Sequence, residues 1–183
     1  DSSGGTDLIQ HYDTTAGNQD TVRFDGVAST DVTGITRLNG DLVIAYGSGN
    51  QLTVQNYFVS GYGIEQFSFS DGVTWNDTDV KARTLTQGTA NGDSVTGYNE
   101  ASNRMYGYDG ADYLTGGALN DTIDGGAGAD NLSGMNGADV LIGAAGNDSI
   151  NGGGGADQID AGEGNDLVDA GSGDDTIIAG LGN

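Results

Sequence analysis

Two patterns of apolar and polar positions divide the chain. From residue 21 to 75, apolar residues alternate with polar ones at the two-residue spacing of half-buried strands. Val22 and Phe24 share a face, and residues 36–38 and 41–46 flank an Asn39-Gly40 pair of the kind that closes hairpins. Residues 51–58 continue the meander, and Phe67-Ser68-Phe69 leads through Asp71-Gly72 into Val73-Thr74-Trp75. From residue 107 to 178 the spacing changes to nine. Eight uninterrupted units begin at Gly107, Gly116, Gly125, Gly134, Gly143, Gly152, Ala161 and Ala170. The sixth place of each is Asp112, Asp121, Asp130, Asp139, Asp148, Asp157, Asp166 or Asp175. The eighth is Leu114, Ile123, Leu132, Leu141, Ile150, Ile159, Val168 or Ile177.

This register predicts a solenoid. A short strand around each eighth-place aliphatic, followed by a six-residue Gly-rich turn, returns the chain after two units, so residues eighteen apart become neighbours on parallel strands. The aliphatics then share one narrow core. Strands lie about 4.8 Å apart, which puts Asp112, Asp130, Asp148 and Asp166 in one column and Asp121, Asp139, Asp157 and Asp175 in another. Two carboxylates at that spacing repel by roughly 3–4 kcal/mol at an effective dielectric of about 20. Asp could serve only to close the turn through its side chain. Asn would do this without repulsion, yet Asn is used at the fifth place, in Asn120, Asn147 and Asn165, and never at the sixth in these units. Charge is what the sixth place needs. Carboxylates and backbone carbonyls without Cys suit a hard divalent cation, and a loose many-oxygen geometry favours calcium over magnesium.

Composition sharpens this picture. With 5 basic residues against 27 acidic ones, nucleic acid and anionic membranes are poor partners. The absence of Cys rules out disulfide and thiol chemistry, and no apolar run is long enough to span a bilayer or act as a signal peptide. Residues 1–87 carry four of the five basic residues, and 88–183 carry 24 of the 35 glycines, which places a domain boundary between 87 and 88. Residues 88–96 fit one more unit with Asp93 in the sixth place. After Gly97 a degenerate unit runs from 98 to 106 with Asn103 and Met105 in the sixth and eighth places, one residue out of register. Asp7 and Asp20 lie in two further repeat-like fragments, thirteen residues apart and out of register. The chain starts without Met and stops one residue before another sixth-place Asp is due, and so reads as a piece of a larger parent protein.

The array, of the form G-G-x-G-x-D-x-U-x, resembles the RTX, or haemolysin-type calcium-binding, repeats of secreted bacterial proteins. Residues 41–44, 52–58 and 69–75 resemble the small domain that accompanies such repeats. The resemblance implies an all-β chain, a calcium-bound parallel β-roll over 88–183 preceded by a small β-strand-rich domain over 1–87. It also implies a ligand rule in which each ion takes the second- and fourth-place carbonyls and the Asp of one turn. The first- and third-place carbonyls and the Asp of the turn eighteen residues on complete the set. On one edge the rule joins Asp112/Asp130 through Tyr108, Gly110, Gly125 and Ala127. It joins Asp130/Asp148 through Gly126, Gly128, Gly143 and Ala145, and Asp148/Asp166 through Ala144, Gly146, Ala161 and Glu163. On the other edge it joins Asp121/Asp139 through Gly117, Leu119, Gly134 and Asn136. Asp139/Asp157 follow through Met135, Gly137, Gly152 and Gly154, and Asp157/Asp175 through Gly153, Gly155, Ala170 and Ser172. These are about six calcium sites, rising toward eight if Asp93 and Asn103 contribute across the slip. Leu119 stands where the other regular units have Gly, which makes Asp121/Asp139 the weakest expected site.

The expected role is a calcium-triggered folding module of a secreted, type I-exported, monomeric RTX-type protein, with calcium as a folding ligand and no catalysis in this part. An adhesin-type module for an extracellular glycan is the rival reading, as is the C-terminal part of a protease, lipase or cytolysin whose working domain lies elsewhere. An ice-binding face would want a regular outward file of Thr or Asn, whereas the outward places include Tyr113, Thr122, Asn131, Val140, Ser149 and Gln158. Tyr57, Phe58, Phe67, Phe69 and Trp75 read as core rather than a sugar platform, because they sit at strand spacing. His11, between Asp7 and Asp13, reads as a solvated loop residue with no nucleophile nearby. No phosphate-cradling motif is present, since the glycines lead to Asp rather than to Lys and a helix. Tyr98, Tyr106, Tyr108 and Tyr113 gather at the slip, and Tyr106 and Tyr113 are expected to be covered, as the cap of the roll, by the first domain.

Overall fold

The change in spacing corresponds to a change in structure: a computed structural model places Asp1–Leu85 in one unit and Thr86–Asn183 in another. It describes residues 5–10, 19–38, 40–59 and 64–181. His11, Asp13 and Asn39 lie outside the described residues, as does part of the fragment around Asp20.

In the first unit, strand β1 (Thr6–Ile9) pairs in parallel with β5 (Asn50–Val54), and β2 (Thr21–Phe24) pairs in parallel with β6 (Gln66–Phe69). The hairpin is formed by β3 (Val32–Leu38) and β4 (Asp41–Tyr46), with β4 also antiparallel to β5. β7 (Thr74–Asn76) is antiparallel to β6. The alternation works as its period demands, since every second residue of β4, namely Leu42, Ile44 and Tyr46, is buried. Phe67, Phe69, Trp75 and Tyr57 are buried with them, and Phe58 packs against the cluster partly buried. Phe69 stacks on Phe24 at 5.0 Å and tilts against Trp75 at 4.5 Å, so these rings are core.

Two details differ from the expected meander. β5 ends at Val54 and does not run to Phe58, because Asn56 takes a left-handed φ of 56° and its N–H turns to Asp41 Oδ1 at 2.7 Å. A helix, α1 (Asp77–Arg83), follows β7 where only strand and loop were expected. Its capping box is explicit. Asn76 Oδ1 accepts from Asp79 N–H at 2.9 Å while Asp79 Oδ2 accepts from Asn76 N–H at 3.1 Å, and Lys81 and Arg83 complement the last turn.

The second unit is the solenoid. After β8 (Leu85–Gln87) come β9 (Ser94–Thr96), β10 (Arg104–Tyr106), β11 (Tyr113–Gly117) and β12 (Thr122–Ala127). β13 (Asn131–Asn136), β14 (Val140–Ala145), β15 (Ser149–Gly154), β16 (Gln158–Asp160), β17 (Leu167–Asp169) and β18 (Thr176–Ile178) follow. Odd strands β9 to β17 stack in one parallel sheet and even strands β8 to β18 in the other. The stacking offset is eighteen: Leu114 pairs with Leu132, which pairs with Ile150, and Ile123 with Leu141, which pairs with Ile159. These side chains and Met105 are at most 1 % exposed and form a one-residue-wide core.

The expected six-residue turn is shorter than that. β12 to β15 run on into the first three places of the next unit, where Gly126 pairs with Ala144 and Ala127 with Ala145. Only the fourth to sixth places make a corner. A left-handed second place bends the chain without breaking the ladder, and Tyr108, Met135 and Ala144 accept that conformation at φ of 75°, 78° and 70°. Tyr106 is half-buried and Tyr113 is 63 % exposed. An outward seventh-place ring simply faces solvent.

Candidate metal centre

The ladder fixes the sixth-place carboxylates. In each stack the N–H of one Asp donates to Oδ1 of the Asp eighteen residues on: Asp112 to Asp130 at 2.8 Å, Asp130 to Asp148 at 2.9 Å, and Asp148 to Asp166 at 3.0 Å. On the other edge Asp121 donates to Asp139 at 2.8 Å, Asp139 to Asp157 at 2.9 Å, and Asp157 to Asp175 at 2.9 Å. The two columns read from the sequence are therefore present, and the six carboxylates from Asp112 to Asp157 are at most 2 % exposed, while Asp166 and Asp175 are half-buried.

The second oxygen of each is the unusual one. Oδ2 of Asp112, Asp130, Asp139, Asp148 and Asp157 is buried with no hydrogen-bond partner. Leaving a buried charged acceptor unsatisfied costs on the order of 1–3 kcal/mol or more. Burial accordingly pushes the carboxyls of Asp112, Asp121, Asp130, Asp139 and Asp148 above the usual range, against backbone hydrogen bonds that lower them; Asp139 and Asp148 reach about 6. Neighbouring carboxylates add to the rise, Asp121 and Asp157 on Asp139 and Asp130 and Asp166 on Asp148. Asp124, a ninth-place residue that the repeat pattern did not single out, is also raised by burial and adds its field to Asp130.

The surroundings of the orphaned oxygens test the fit to a cation. A side-chain carbon built on Gly107 would collide with both Asp112 Oδ2 and the Gly125 carbonyl; at Gly134 it would meet Asp139 Oδ2 and the Gly152 carbonyl. At Gly143 and Gly152 the pairs are Asp148 Oδ2 with the Ala161 carbonyl and Asp157 Oδ2 with the Ala170 carbonyl. At Gly126 and Gly128 the added carbon would instead strike the backbone of the turn before, at the Tyr108 and Gly110 carbonyls, which shows how closely the turns stack. Glycine thus keeps open small spaces walled by oxygens, as a hard divalent ion needs. Two of the four carbonyls in the implied Asp112/Asp130 set already serve the ladder, Tyr108 accepting from Ala127 N–H at 2.6 Å and Ala127 from Gly110 N–H at 2.8 Å. Each keeps a second lone pair. Among the described residues no three acidic or imidazole side chains converge on one point.

Repeats matching the description "RTX calcium-binding nonapeptide repeat (4 copies)" cover residues 87–123, 106–141, 124–159, 133–168 and 151–183, together more than half of the chain. The chain belongs to that family. RTX repeats bind calcium, and this assigns the array as a calcium-binding module. Residues 41–79 match the haemolysin-type calcium binding protein related domain. No curated protein matches the chain.

Proposed function

We propose that this RTX array is a calcium-dependent folding module of a larger secreted bacterial protein, unfolded where calcium is scarce and folded outside the cell. The observation that carries this is the stack of buried, partnerless Asp Oδ2 atoms. Without a cation each layer buries like charges beside a core only one aliphatic wide, and each such aliphatic contributes about 1.5–3 kcal/mol. With calcium, the Asp pairs and carbonyls of the ligand rule would hold ions whose charge neutralises both neighbours, and binding free energy becomes folding free energy. Export through a type I channel and a structural rather than catalytic role fit the same reading, since RTX β-rolls are typically structural parts of proteins that bacteria secrete.

Circular dichroism in chelator and then in millimolar calcium tests it. A cooperative gain of β signal on adding calcium is expected; a full signal in chelator that calcium leaves unchanged would falsify it.

A further inference from the structure

Three turns of the array close in a different way from the others. In the turn 116–121 the Gly117 N–H donates to Asp121 Oδ2 at 2.6 Å, occupying the oxygen that is partnerless in the other buried carboxylates. Asp121 Oδ1 takes two further donors, Asn103 N–H at 2.6 Å and Asn103 Nδ2 at 2.8 Å. In the turn 88–93, Thr89 N–H and Oγ1 donate to Asp93 Oδ2 at 2.6 and 2.9 Å. In the slipped turn between them, Tyr98 N–H donates to Asn103 Oδ1 at 2.7 Å. Asn103 Nδ2 there faces the Tyr98 and Ala101 carbonyls at 3.0 and 3.2 Å as well as the Asp121 carboxylate. A nitrogen bearing hydrogens stands among three oxygens, the kind of donor set that would otherwise ask for a cation.

The fourth place separates the two classes. Where it is Gly with φ from 121° to 145°, at Gly110, Gly128, Gly137, Gly146 and Gly155, the carboxylate of that turn keeps a bare Oδ2. Where it is Asn91 or Leu119, neither it nor the second place is left-handed, and the second-place N–H closes onto the carboxylate. A φ of 121° to 145° is strained for any residue with a side-chain carbon, so a fourth-place Asn or Leu takes another conformation.

We infer that Asp93, Asn103 and Asp121 do not ligate calcium, that backbone and amide N–H groups take the ion's place in those turns, and that in the regular turns 88–93 and 116–121 the fourth-place residue decides which kind of turn forms. The inference rests on the calcium reading above and narrows it: the Asp121/Asp139 pair drops out of the ligand rule, and the pairs 112/130, 130/148, 148/166, 139/157 and 157/175 remain.

Calcium bound per chain, counted by titration calorimetry and equilibrium dialysis on the full chain, tests it. Asp121→Asn is expected to leave the wild-type count unchanged, Asp148→Asn to lower it, and Leu119→Gly to add about one ion that Leu119→Gly with Asp121→Asn loses again. A lower count for Asp121→Asn overturns the inference, as does a Leu119→Gly protein that folds in calcium and binds no extra ion. If Leu119→Gly does not fold, the Asp121→Asn count decides alone. A wild-type chain that binds no calcium overturns the folding-module reading with it, whereas a calcium-binding chain that loses ions equally in Asp121→Asn and Asp148→Asn overturns this inference only.

Discussion

Asp148→Asn should raise the calcium concentration at half-folding several-fold, and Asp121→Asn should do so much less. Asparagine is the right probe because alanine would mix two effects. Removing Asp148 to alanine strips the acceptor from Asp130 N–H, and removing Asp121 to alanine strands Asn103 N–H, Asn103 Nδ2 and Gly117 N–H. An asparagine keeps an acceptor and deletes the charge. Asp148 sits mid-column, hydrogen-bonded to Asp130 through its carboxylate and to Asp166 through its N–H, so the ligand rule gives it to two layers at once.

If each layer loses about 2–3 kcal/mol of charge-assisted ligation, the folded, loaded state loses about 4–6 kcal/mol. Spread over about five ions taken up with folding, at 1.36 kcal/mol per tenfold in concentration, this moves the midpoint by about 4- to 8-fold. The assay is far-UV circular dichroism against buffered free calcium, with the steepness of the transition recorded alongside. A shift for Asp121→Asn equal to or larger than that for Asp148→Asn would show that the pairing of layers, or the special status of Asp121, is wrong.

Other consequences can be checked on the same protein. Residues 21–76 should keep slower hydrogen exchange than residues 125–178 in chelator, because the core around Phe67, Leu42 and Ile44 needs no ion; equal exchange in both would refute this. In chelator the roll should gain stability on acidification from pH 7 toward 4: Asp139 and Asp148, at about 6 when folded against 3.8, hold protons that the unfolded chain has released in that window, so stability falls as pH rises through it. In calcium the dependence should reverse, since protons then compete with the ion, and thermal melts at fixed free calcium across pH would show whether the sign changes. Leu132→Ala, at a fully buried core position, should cost about 2–5 kcal/mol, read as a raised calcium midpoint with an unchanged ion count. Gly128→Ala should impair folding more than Gly26→Ala although both have positive φ, because only at Gly128 would the added carbon strike the Gly110 carbonyl; equal melting shifts would argue against the close stacking of turns.

The sequence disclosed what repeats and hid what is exceptional. A strict period of nine with acid and aliphatic in step is enough to set the eighteen-residue offset, since only that stacking puts Leu114, Leu132 and Ile150 in one core while Asp112, Asp130 and Asp148 share an edge. How far the strands reach was hidden, because glycines at the first three places look like turn and only the ladder shows Gly126 and Ala127 paired. Helix α1 carried a readable cap in Asn76 and Asp79 but is too short to show a helical period. The closure of Asp121 by Asn103 joins residues of two turns across a register slip, and its one local signal was Leu119 in place of Gly. The exposure of Tyr113 follows from its outward seventh place.

The same geometry explains why the response to calcium should be cooperative although each layer is small. Every ladder carboxylate from Asp130 to Asp175 is held by one oxygen to the backbone of the layer before it, and those of Asp130, Asp139, Asp148 and Asp157 leave the other oxygen bare toward the carbonyl-lined space of their own turn. An ion that orders one layer therefore places the next carboxylate and lowers the entropy cost of the following site, while an empty layer leaves a raised, repelling acid beside its neighbour. Such nearest-neighbour coupling behaves as a one-dimensional chain in which starting is costly and extension is favourable. A turn already closed by Gly117, Thr89 or Tyr98 N–H groups has no ion to wait for. Propagation should then begin at the 88–121 end, and in a stepwise calcium titration followed by hydrogen exchange the amides around Ile123 and Leu132 should gain protection at lower calcium than those around Val168 and Ile177.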